Sequence, residues 1–592
     1  MKKKLLLIIS IVCGFCSVSA SSATFDSIPP LAPVVQAAGR PHYMPIWSPL
    51  YELSGNSIYP GSPYVQTTLY EPYNDLTRGW WDNILEEFMY AGINNSLILT
   101  RAAMTESGEW NTLKTNLVPG LNRAGMYGFM KFGQFEDCGA WLGAFQSITG
   151  RSTIDWSDSA TMVRIMWDQC VKRFFDFMPV DLQLQYNGKP VWVGWASGGI
   201  NLQGNVSKVL REVKKRFKAQ YNKDLFIIID NSWRKGDASI TAAEADGVQN
   251  WFCCGTAGTF FTFNNLKVGV CVPGFGVFNS AGTPAPHGAT FDRNHGQRLR
   301  QFLDSSITSK ADFMIEEGYV DLRESAGIYR SPSWDYPSQY LEIVREYLDG
   351  QTQTRRFQAE ACDSFYNKSN TNSNNAFSSR RLDVGTLPSP NFGWYVDGTD
   401  PGDWLLWKSP YFANGTYDIY IRYASMTASD VTLSMGGKSD NISLPSTSGI
   451  FQGKKILSAR TLSGNNDVKL TMQTAGIQID FLHCNRTDNV GAKYHATDIP
   501  SPFTGAKMVG LQHRIRIDYS VPYDNSILNM QVLTMKGRTV WHCITPLVGG
   551  KHTVEWLAAT SAAGAYIVNW KVSKLNSNES VSGSNKVMLL SR

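Results

Sequence analysis

The sequence predicts a multidomain protein in which a (β/α)8 TIM barrel is followed by two β-rich domains. The chain has 592 residues, which is more than one hydrophobic core organises. Short apolar runs alternate with amphipathic helical stretches over residues 40–350, the rhythm of a barrel. Short alternating strands with Asn, Ser and Gly turns then take over. We therefore expect a barrel at 40–350 and β domains at 356–487 and 500–592.

The N-terminus has the pattern of a secretory signal peptide. Three lysines at positions 2–4 precede an apolar run over 5–12 and a stretch of small residues at 17–20. We expect cleavage after Ala20, which makes residues 1–20 the signal peptide. No later stretch is apolar for long enough to cross a bilayer. The protein is thus expected to be secreted or at the cell surface, without a membrane span.

The composition favours a carbohydrate partner. The chain has 18 Trp, 25 Tyr and 29 Phe, and aromatic rings can stack on the flat C–H faces of sugars, although most single rings belong to cores. A net charge of +5 without basic runs argues against nucleic acid. The cysteines show no zinc-type spacing, so we expect no metal cluster from them. We also expect no cofactor for catalysis. We expect a monomer.

Eight apolar runs are predicted as the strands of the barrel. They lie at 42–48, 96–101, 127–135, 190–195, 225–230, 248–253, 268–272 and 313–317. An open, doubly wound sheet is the alternative, but no Gly-rich phosphate loop follows the first strand. Because a barrel forms its active site at the C-terminal ends of the strands, the residues at those ends are the candidates for substrate contact.

Carboxylates and tryptophans gather at these strand ends. Cleavage of a glycosidic bond needs two carboxyl groups across the bond, and the supply is sufficient. The predicted substrate-binding residues are Trp47, Glu136, Asp137, Trp195, Asp230, Trp233, Trp251 and Glu316. The ends of strands four and seven carry no carboxylate, unlike those of the commonest barrel glycosidases. The chain is therefore not expected to belong to that large group.

Some of these residues have an alternative interpretation. Glu316 and Glu317 are adjacent in a strand, so only one of them can face the barrel axis. Asp230 could cap the following turn and not touch a ligand.

A resemblance to known glycosidases rests on the last part of the barrel. Residues 292–296, Glu317 and the run 324–328 resemble the final segment of endo-α-mannosidase-like and α-1,3-glucanase-like barrels. The arrangement also resembles a Bacteroidetes family of exported barrels of unknown function. The resemblance implies that Glu317 and Glu324 are catalytic, one as acid/base and the other assisting through a sugar hydroxyl or a water.

The second domain resembles carbohydrate-binding modules of the family 6 type. The matching stretches include 358–360, 393–396, 402–405, 421–425 and 477–481. The resemblance implies a β-sandwich jelly roll with a structural calcium at Glu360 and Asp480, and a disulfide between Cys362 and Cys484. It also implies a sugar cleft at Trp394 or Tyr395, with Gln478 in the place of an Asn and no Trp in the second aromatic position at 451–454.

The C-terminal part resembles the sorting domains of Bacteroidetes secretion. The resemblance rests on the runs 537–540, 549–552, 564–568 and 586–590. It implies a small immunoglobulin-like β domain and secretion machinery as a partner. A plain accessory sandwich is the alternative.

Two functions remain open from the residues. The first is a secreted glycoside hydrolase that acts on a polysaccharide or glycan and carries an appended sugar-binding module. The second is a non-catalytic surface glycan-binding protein built on a barrel that has lost its chemistry.

Overall fold

The fold is described from a computed structural model. The described residues are 25–29, 31, 34, 36–47, 69, 78–124, 130–195, 204–251, 256–276, 290–319, 326–349, 354–368, 384–386 and 394–488, followed by seven strands between 507 and 589. The predicted signal peptide lies outside them. Within the described part of the chain, no helix is long and apolar enough to cross a membrane.

Ten strands form the sheet of the first domain. They are β1 (His42–Trp47), β2 (Asn95–Thr100), β3 (Lys131–Asp137), β4 (Gln185–Tyr186), β5 (Lys189–Trp195), β6 (Phe226–Asp230), β7 (Gly247–Gln249), β8 (Phe260–Phe263), β9 (Leu266–Cys271) and β10 (Phe313–Glu316). Eight of them lie close to the runs predicted from the sequence. Strand β3 continues two residues past the predicted end, because Glu136 and Asp137 pair with Gly194 and Trp195 of β5.

The strand order is that of a barrel. Parallel pairing runs from β1 through β2, β3, β5 and β6 to β7, and β10 pairs in parallel with both β9 and β1. The last strand thus lies beside the first. The short strands β4 and β8 pair antiparallel with β5 and β9; neither was predicted.

Helices lie between the strands and cover the outside of this sheet. They are α1 (Arg78–Ala91), α2 (Glu109–Ala124), α3 (Trp141–Thr149), α4 (Ser159–Val163), α5 (Lys172–Phe177), α6 (Val206–Tyr221), α7 (Asn231–Gly236), α8 (Gln297–Thr308) and α9 (Gln339–Leu348). A π-helical stretch over Arg164–Val171 joins α4 to α5. The sequence predicted this as one helix at 161–178.

The second domain consists of two antiparallel sheets. Its strands are β11 (Thr354–Gln358), β12 (Ser364–Tyr366), β13 (Val384–Thr386), β14 (Trp394–Val396), β15 (Trp404–Trp407), β16 (Tyr411–Ala424), β17 (Ser429–Met435), β18 (Lys438–Leu444), β19 (Gln452–Asn465), β20 (Val468–Met472) and β21 (Gln478–Arg486). One sheet has the order β13-β14-β21-β16-β19 with β11 beside β21, and the other has the order β12-β15-β20-β17-β18. Apolar side chains from both sheets share one buried cluster.

Two smaller antiparallel sheets follow in the C-terminal part. Their strands are β22 (Lys507–Leu511), β23 (Arg514–Val521), β24 (Ser526–Thr534), β25 (Thr539–Leu547), β26 (Gly550–Leu557), β27 (Gly564–Lys574) and β28 (Ser580–Leu589). The three-stranded sheet has the order β22-β23-β26, and the four-stranded sheet has the order β25-β24-β27-β28. The immunoglobulin-like sorting domain stays a prediction for this part.

Buried ion pairs and hydrogen bonds join the barrel to the sandwich. Arg355 of β11 contacts Glu342 of α9 with both arms of its guanidinium, at 2.7 and 3.2 Å. Asp363 accepts hydrogen bonds from the backbone and the hydroxyl of Ser338, at 2.7 and 2.6 Å. All four residues are almost fully buried.

A segment from the beginning of the chain lies on the sandwich. The backbone N–H of Asp26 donates to the carbonyl of Gly453 at 2.9 Å, and the carboxylate of Asp26 accepts from the backbone N–H of Lys455 at 2.9 Å. Strand β19 therefore holds residues that precede the whole barrel in sequence.

Candidate functional site

The strands of the barrel bury two separate sets of side chains. One set packs against the helices. The other, which we call the inner cluster, fills the inside of the barrel and consists of Met44, Ile46, Leu97, Phe135, Leu184, Val191, Val193, Phe226, Ile228, Trp251, Val268, Val270, Phe313 and Ile315. Because side chains alternate along a strand, membership of this cluster shows which strand-end residues face the lumen.

Asp137 lies on the inner face at the end of β3. A Cβ atom added to Gly133 would meet Leu97 and Val191, so positions 133, 135 and 137 point inward. The Asp137 carboxylate pairs with the Nε of Arg101 at 2.7 Å and accepts from the backbone N–H of Gly139 at 3.0 Å. It therefore reaches the mouth of the barrel as half of an ion pair.

Asp230 also lies at an inward position, two residues after Ile228. It is 1% exposed. One oxygen accepts from the backbone N–H of Ser232 at 2.8 Å, and the other accepts from the backbone N–H of Trp251 at 3.1 Å. Asp230 thus caps α7 and ties β6 to the end of β7, as the alternative interpretation expected.

Glu317 follows the last inward residue of β10. Its backbone N–H donates to the carbonyl of Cys271 at 3.0 Å, so the strand pairing continues to this residue. Since Ile315 belongs to the inner cluster, Glu317 faces the same side, and it is only 6% exposed. Its predicted catalytic partner, Glu324, lies outside the described residues.

Two tryptophans flank this mouth. Trp195 ends β5 at an inward position, and its ring centroid is 6.2 Å from that of Trp251. The ring of Trp251 lies 5.4 Å from that of Phe135. Aromatic surface therefore lines the inner face next to Asp137 and Asp230, where a sugar ring could stack.

Gln249 was missed by the sequence analysis. It ends β7, in register with Asp230 on β6, and it is fully buried. The predicted sixth strand ended at residue 253, four residues too late, which left Gln249 in its interior. The available signal was its spacing of two from Trp251, which places both residues on one face of a strand.

Glu136 faces the helices and not the lumen. Its carboxylate accepts hydrogen bonds from the Trp141 indole at 3.0 Å, from the Cys170 thiol at 3.1 Å and from the Thr100 hydroxyl at 2.7 Å. Burial raises its pKa to about 7. A substrate at the mouth cannot reach this group, so its position does not support the predicted role in substrate binding.

Three further predicted site residues lie on the outer face. The Trp47 ring packs edge-on against Trp81 of α1 at 5.0 Å. Trp233 packs against Trp141 at 5.8 Å and is fully buried. Glu316 alternates with the inward residues of β10 and therefore points toward the helices. Positions 47, 233 and 316 thus belong to the packing between strands and helices, and their geometry does not place them at a substrate.

In the sandwich, the two aromatic residues predicted for the sugar cleft lie on opposite faces of β14. Trp394 packs against the core, and Tyr395 points to the opposite side of β14. The Tyr395 ring meets that of Phe451 edge-on, with centroids 5.0 Å apart, so Phe451 stands where a second aromatic was expected. The amide of Gln478 donates to Asp397 at 3.2 Å.

The residues predicted to hold calcium fit a cation in part. Glu360 and Asp480 are buried. Burial and the nearby Asp480 raise the pKa of Glu360, and burial raises the pKa of Asp480 to about 6. Such carboxylates supply the hard oxygen ligands that calcium prefers, but the guanidinium of Arg422 already pairs with Asp480. Among the described residues, no group of three or more His, Cys, Asp or Glu is arranged around a metal position.

The predicted disulfide of the sandwich is not formed. Cys484 is a buried free thiol on β21, so the bond to Cys362 that the family 6 resemblance implied is absent. Burial raises the pKa of the Cys484 thiol to about 12, which keeps it protonated and unreactive.

Two family models match the chain. The first is described as Domain of unknown function (DUF5010) and matches residues 51–364, more than half of the sequence. The second is described as a carbohydrate binding module (family 35) and matches residues 379–484. The second match supports a carbohydrate as the partner. No curated protein matches the chain.

Several solved structures are similar to parts of the chain. A glycoside hydrolase-like protein is 15% identical with a TM-score of 0.37, covering 54% of this chain and 98% of its own. The GH99 endo-alpha-mannosidase from Bacteroides thetaiotaomicron is 14% identical with a TM-score of 0.33, covering 52% and 96%. The module CsCBM6-3 from Clostridium stercorarium, in complex with cellobiose, is 19% identical with a TM-score of 0.18, covering 22% and 93%.

Proposed function

Since this chain belongs to the family described as Domain of unknown function (DUF5010) and carries a segment that matches a carbohydrate binding module, we propose that it is a secreted glycoside hydrolase acting on a polysaccharide or glycan. The observation that carries the proposal is the placement of Glu317. It is a buried carboxylate on the inner face of the last barrel strand, at the end where Trp195 and Trp251 offer stacking surface.

The proposed chemistry uses Glu317 together with Glu324. One carboxylic acid donates its proton to the leaving oxygen as the glycosidic bond breaks, and the other acts through a sugar hydroxyl or a water on the anomeric carbon. Asp137 and Asp230 would not share this role. Asp137 is neutralised by Arg101, and both oxygens of Asp230 are engaged by backbone N–H groups. They hold the shape of the mouth.

The decisive experiment compares two substitutions of the same type. Release of reducing sugar is measured from yeast α-mannan, α-1,3-glucan, laminarin and xylan with the wild type, Glu317→Gln and Glu346→Gln. Glu346 lies on α9, where it pairs with Arg300 at 2.8 Å near the surface. Loss of a catalytic carboxyl group should lower the rate at least 100-fold, while Glu346→Gln keeps it. Equal rates for wild type and Glu317→Gln on the cleaved substrate would refute the assignment.

A non-catalytic surface glycan-binding protein is the second candidate. It is favoured by the engagement of Asp137 and Asp230 in bonds within the protein, which removes two strand-end carboxylates from the candidates for catalysis. This candidate predicts binding of one of the four polysaccharides without release of sugar, and equal affinity for wild type and Glu317→Gln.

The other domains extend the proposal. The sandwich would hold the protein on its glycan, with Tyr395 and Phe451 as the contact surface. Glu360 and Asp480 would hold a structural calcium ion, which stabilises the sandwich and takes no part in the reaction. The C-terminal sheets would serve as a sorting domain for secretion machinery.

A further inference from the structure

The side-chain amide of Gln249 is buried without a hydrogen-bond partner. The residue is fully buried, and neither its Nε2 nor its Oε1 bonds to any protein group. A buried polar group left in this state destabilises the folded protein, and such groups are few in native proteins. At the end of β7 both polar atoms of one amide are in this state, and this calls for a reason.

The amide points into the barrel. A Cβ atom added to Gly247, two residues earlier in β7, would meet Ile228 at 3.3 Å and Val268 at 3.6 Å, both of the inner cluster. Val248, between them in the strand, packs instead with the helix-facing side chains. Gln249 therefore shares the inner face with Gly247 and with Trp251 further along the chain.

Gln249 lies beside other residues of the proposed mouth. It lies in register with Asp230, whose carboxylate holds the backbone of Trp251 in place. The Trp251 ring contacts the Trp195 ring, and the indole N–H of Trp195 is also buried without a partner. Strand β7 thus presents the unsatisfied amide of Gln249, and β5 presents the unsatisfied indole N–H of Trp195. Both lie next to the paired rings of Trp195 and Trp251.

We propose that Gln249 is a substrate-positioning residue that binds the hydroxyl groups of one sugar unit, with the Trp195 indole as a second donor. This inference rests on the proposed function, since it assigns the residue to the same mouth as Glu317. The amide offers N–H donors and a carbonyl acceptor a short distance apart. A pair of neighbouring sugar hydroxyls matches both, because each hydroxyl donates and accepts.

The ligand at this position is uncharged. An anionic sugar would face the acceptor oxygen of Gln249. The described inner-face positions of β6 and β7 hold no basic residue that would balance the negative charge of such a sugar. A purely apolar ligand would leave the amide and the indole N–H as they are. A neutral hexose or pentose unit, with one face on a tryptophan ring, satisfies all three groups.

The test measures both the thermal stability and the binding affinity of Gln249→Leu, because the substitution should not lower the first and should lower the second. Replacing an unsatisfied buried amide by an apolar side chain of similar size is neutral or stabilising. Gln249→Leu should therefore keep or raise the midpoint of thermal unfolding of the full chain. It should also weaken binding at least tenfold, measured by isothermal titration with the polysaccharide of the four that the wild type binds or cleaves.

Gln169→Leu is the matched control. Gln169 lies in the π-helical stretch on the outside of the barrel, and its Oε1 is also buried without a partner. This variant should keep wild-type affinity. Wild-type affinity in Gln249→Leu would overturn the inference and leave the proposed function standing. Absence of any binding or cleavage by the wild type on all four polysaccharides would overturn both.

Discussion

The indole N–H of Trp141 donates to the Oε1 of Glu136 at 3.0 Å. This bond ties the first turn of α3 to the end of β3, and Thr100 and Cys170 complete the contacts of the carboxylate. A strand-end carboxylate, which by position alone is a candidate for catalysis, here connects a strand to the helices around it.

The carboxyl group of Glu136 should make the folded protein less stable as pH rises. The pKa of Glu136 is raised from 4.5 to about 7 in the folded protein, so the folded state retains a proton that the unfolded state has lost between these values. The free energy of unfolding should fall as pH rises from about 4.5 to 7 and stay level above.

Glu136→Gln should reduce this pH dependence. The uncharged amide keeps an acceptor for Trp141, so the variant should be more stable than the wild type at pH 8 by up to about 3 kcal/mol. The measurement is urea unfolding at pH 5 and pH 8. Glu87, whose pKa burial also raises to about 7, remains in both proteins and leaves a residual slope. An unchanged slope in the variant would contradict the prediction.

Arg355→Met should uncouple the barrel from the sandwich. It leaves the buried carboxylate of Glu342 without its guanidinium, which costs about 3–5 kcal/mol. We expect scanning calorimetry to resolve two transitions in the variant where the wild type shows one. The double variant Arg355→Met/Glu342→Gln removes the stranded charge and should recover much of the loss. A single unshifted transition in Arg355→Met would argue against a coupling role.

Calcium should stabilise the sandwich if Glu360 and Asp480 hold it. Addition of calcium after dialysis against EDTA should raise the thermal midpoint of the wild type by several degrees, and Glu360→Gln should abolish the shift. If EDTA-treated wild type does not respond to calcium, Arg422 supplies the positive charge that Asp480 requires, and the calcium proposal fails.

Tyr395→Ala should weaken binding of polysaccharide by the sandwich about threefold to tenfold, because it removes one ring of the Tyr395–Phe451 pair. Affinity electrophoresis in gels containing each polysaccharide measures this directly. Tyr366→Ala is the control, since Tyr366 is 51% exposed on the other sheet of the sandwich. Equal retardation of both variants and the wild type would exclude Tyr395 from the binding surface.

The sequence predicted the position of the strands better than the direction of their side chains. Apolar runs such as 225–230 mark a buried strand in any register, so the eight predicted strands all overlap observed ones. The direction of a side chain depends on which face of its strand lines the lumen. That face is determined by neighbouring strands and helices that lie far away in sequence. Glu136 and Asp137 illustrate this, because one residue of difference sends them to opposite sides of β3.

Gln249 shows a second reason why a site residue escapes a sequence analysis. Charged and aromatic residues at strand ends predict contact with a substrate, and an amide within an apolar run is neither. Its significance appears only from the absence of partners around it, which is a property of the packed structure. Phe451, in contrast, lies in the segment where the resemblance placed an aromatic residue, and only its identity differed from the expected Trp.

The contact between Asp26 and strand β19 joins residues 429 positions apart. A ribosome makes about 5–20 residues per second, so residues 25–29 exist for tens of seconds before their docking surface has been synthesised. A barrel that folds during that interval does so with its leading segment undocked. The segment that is synthesised first therefore cannot dock until β19 has been synthesised. Docking of this segment should be among the late events of folding.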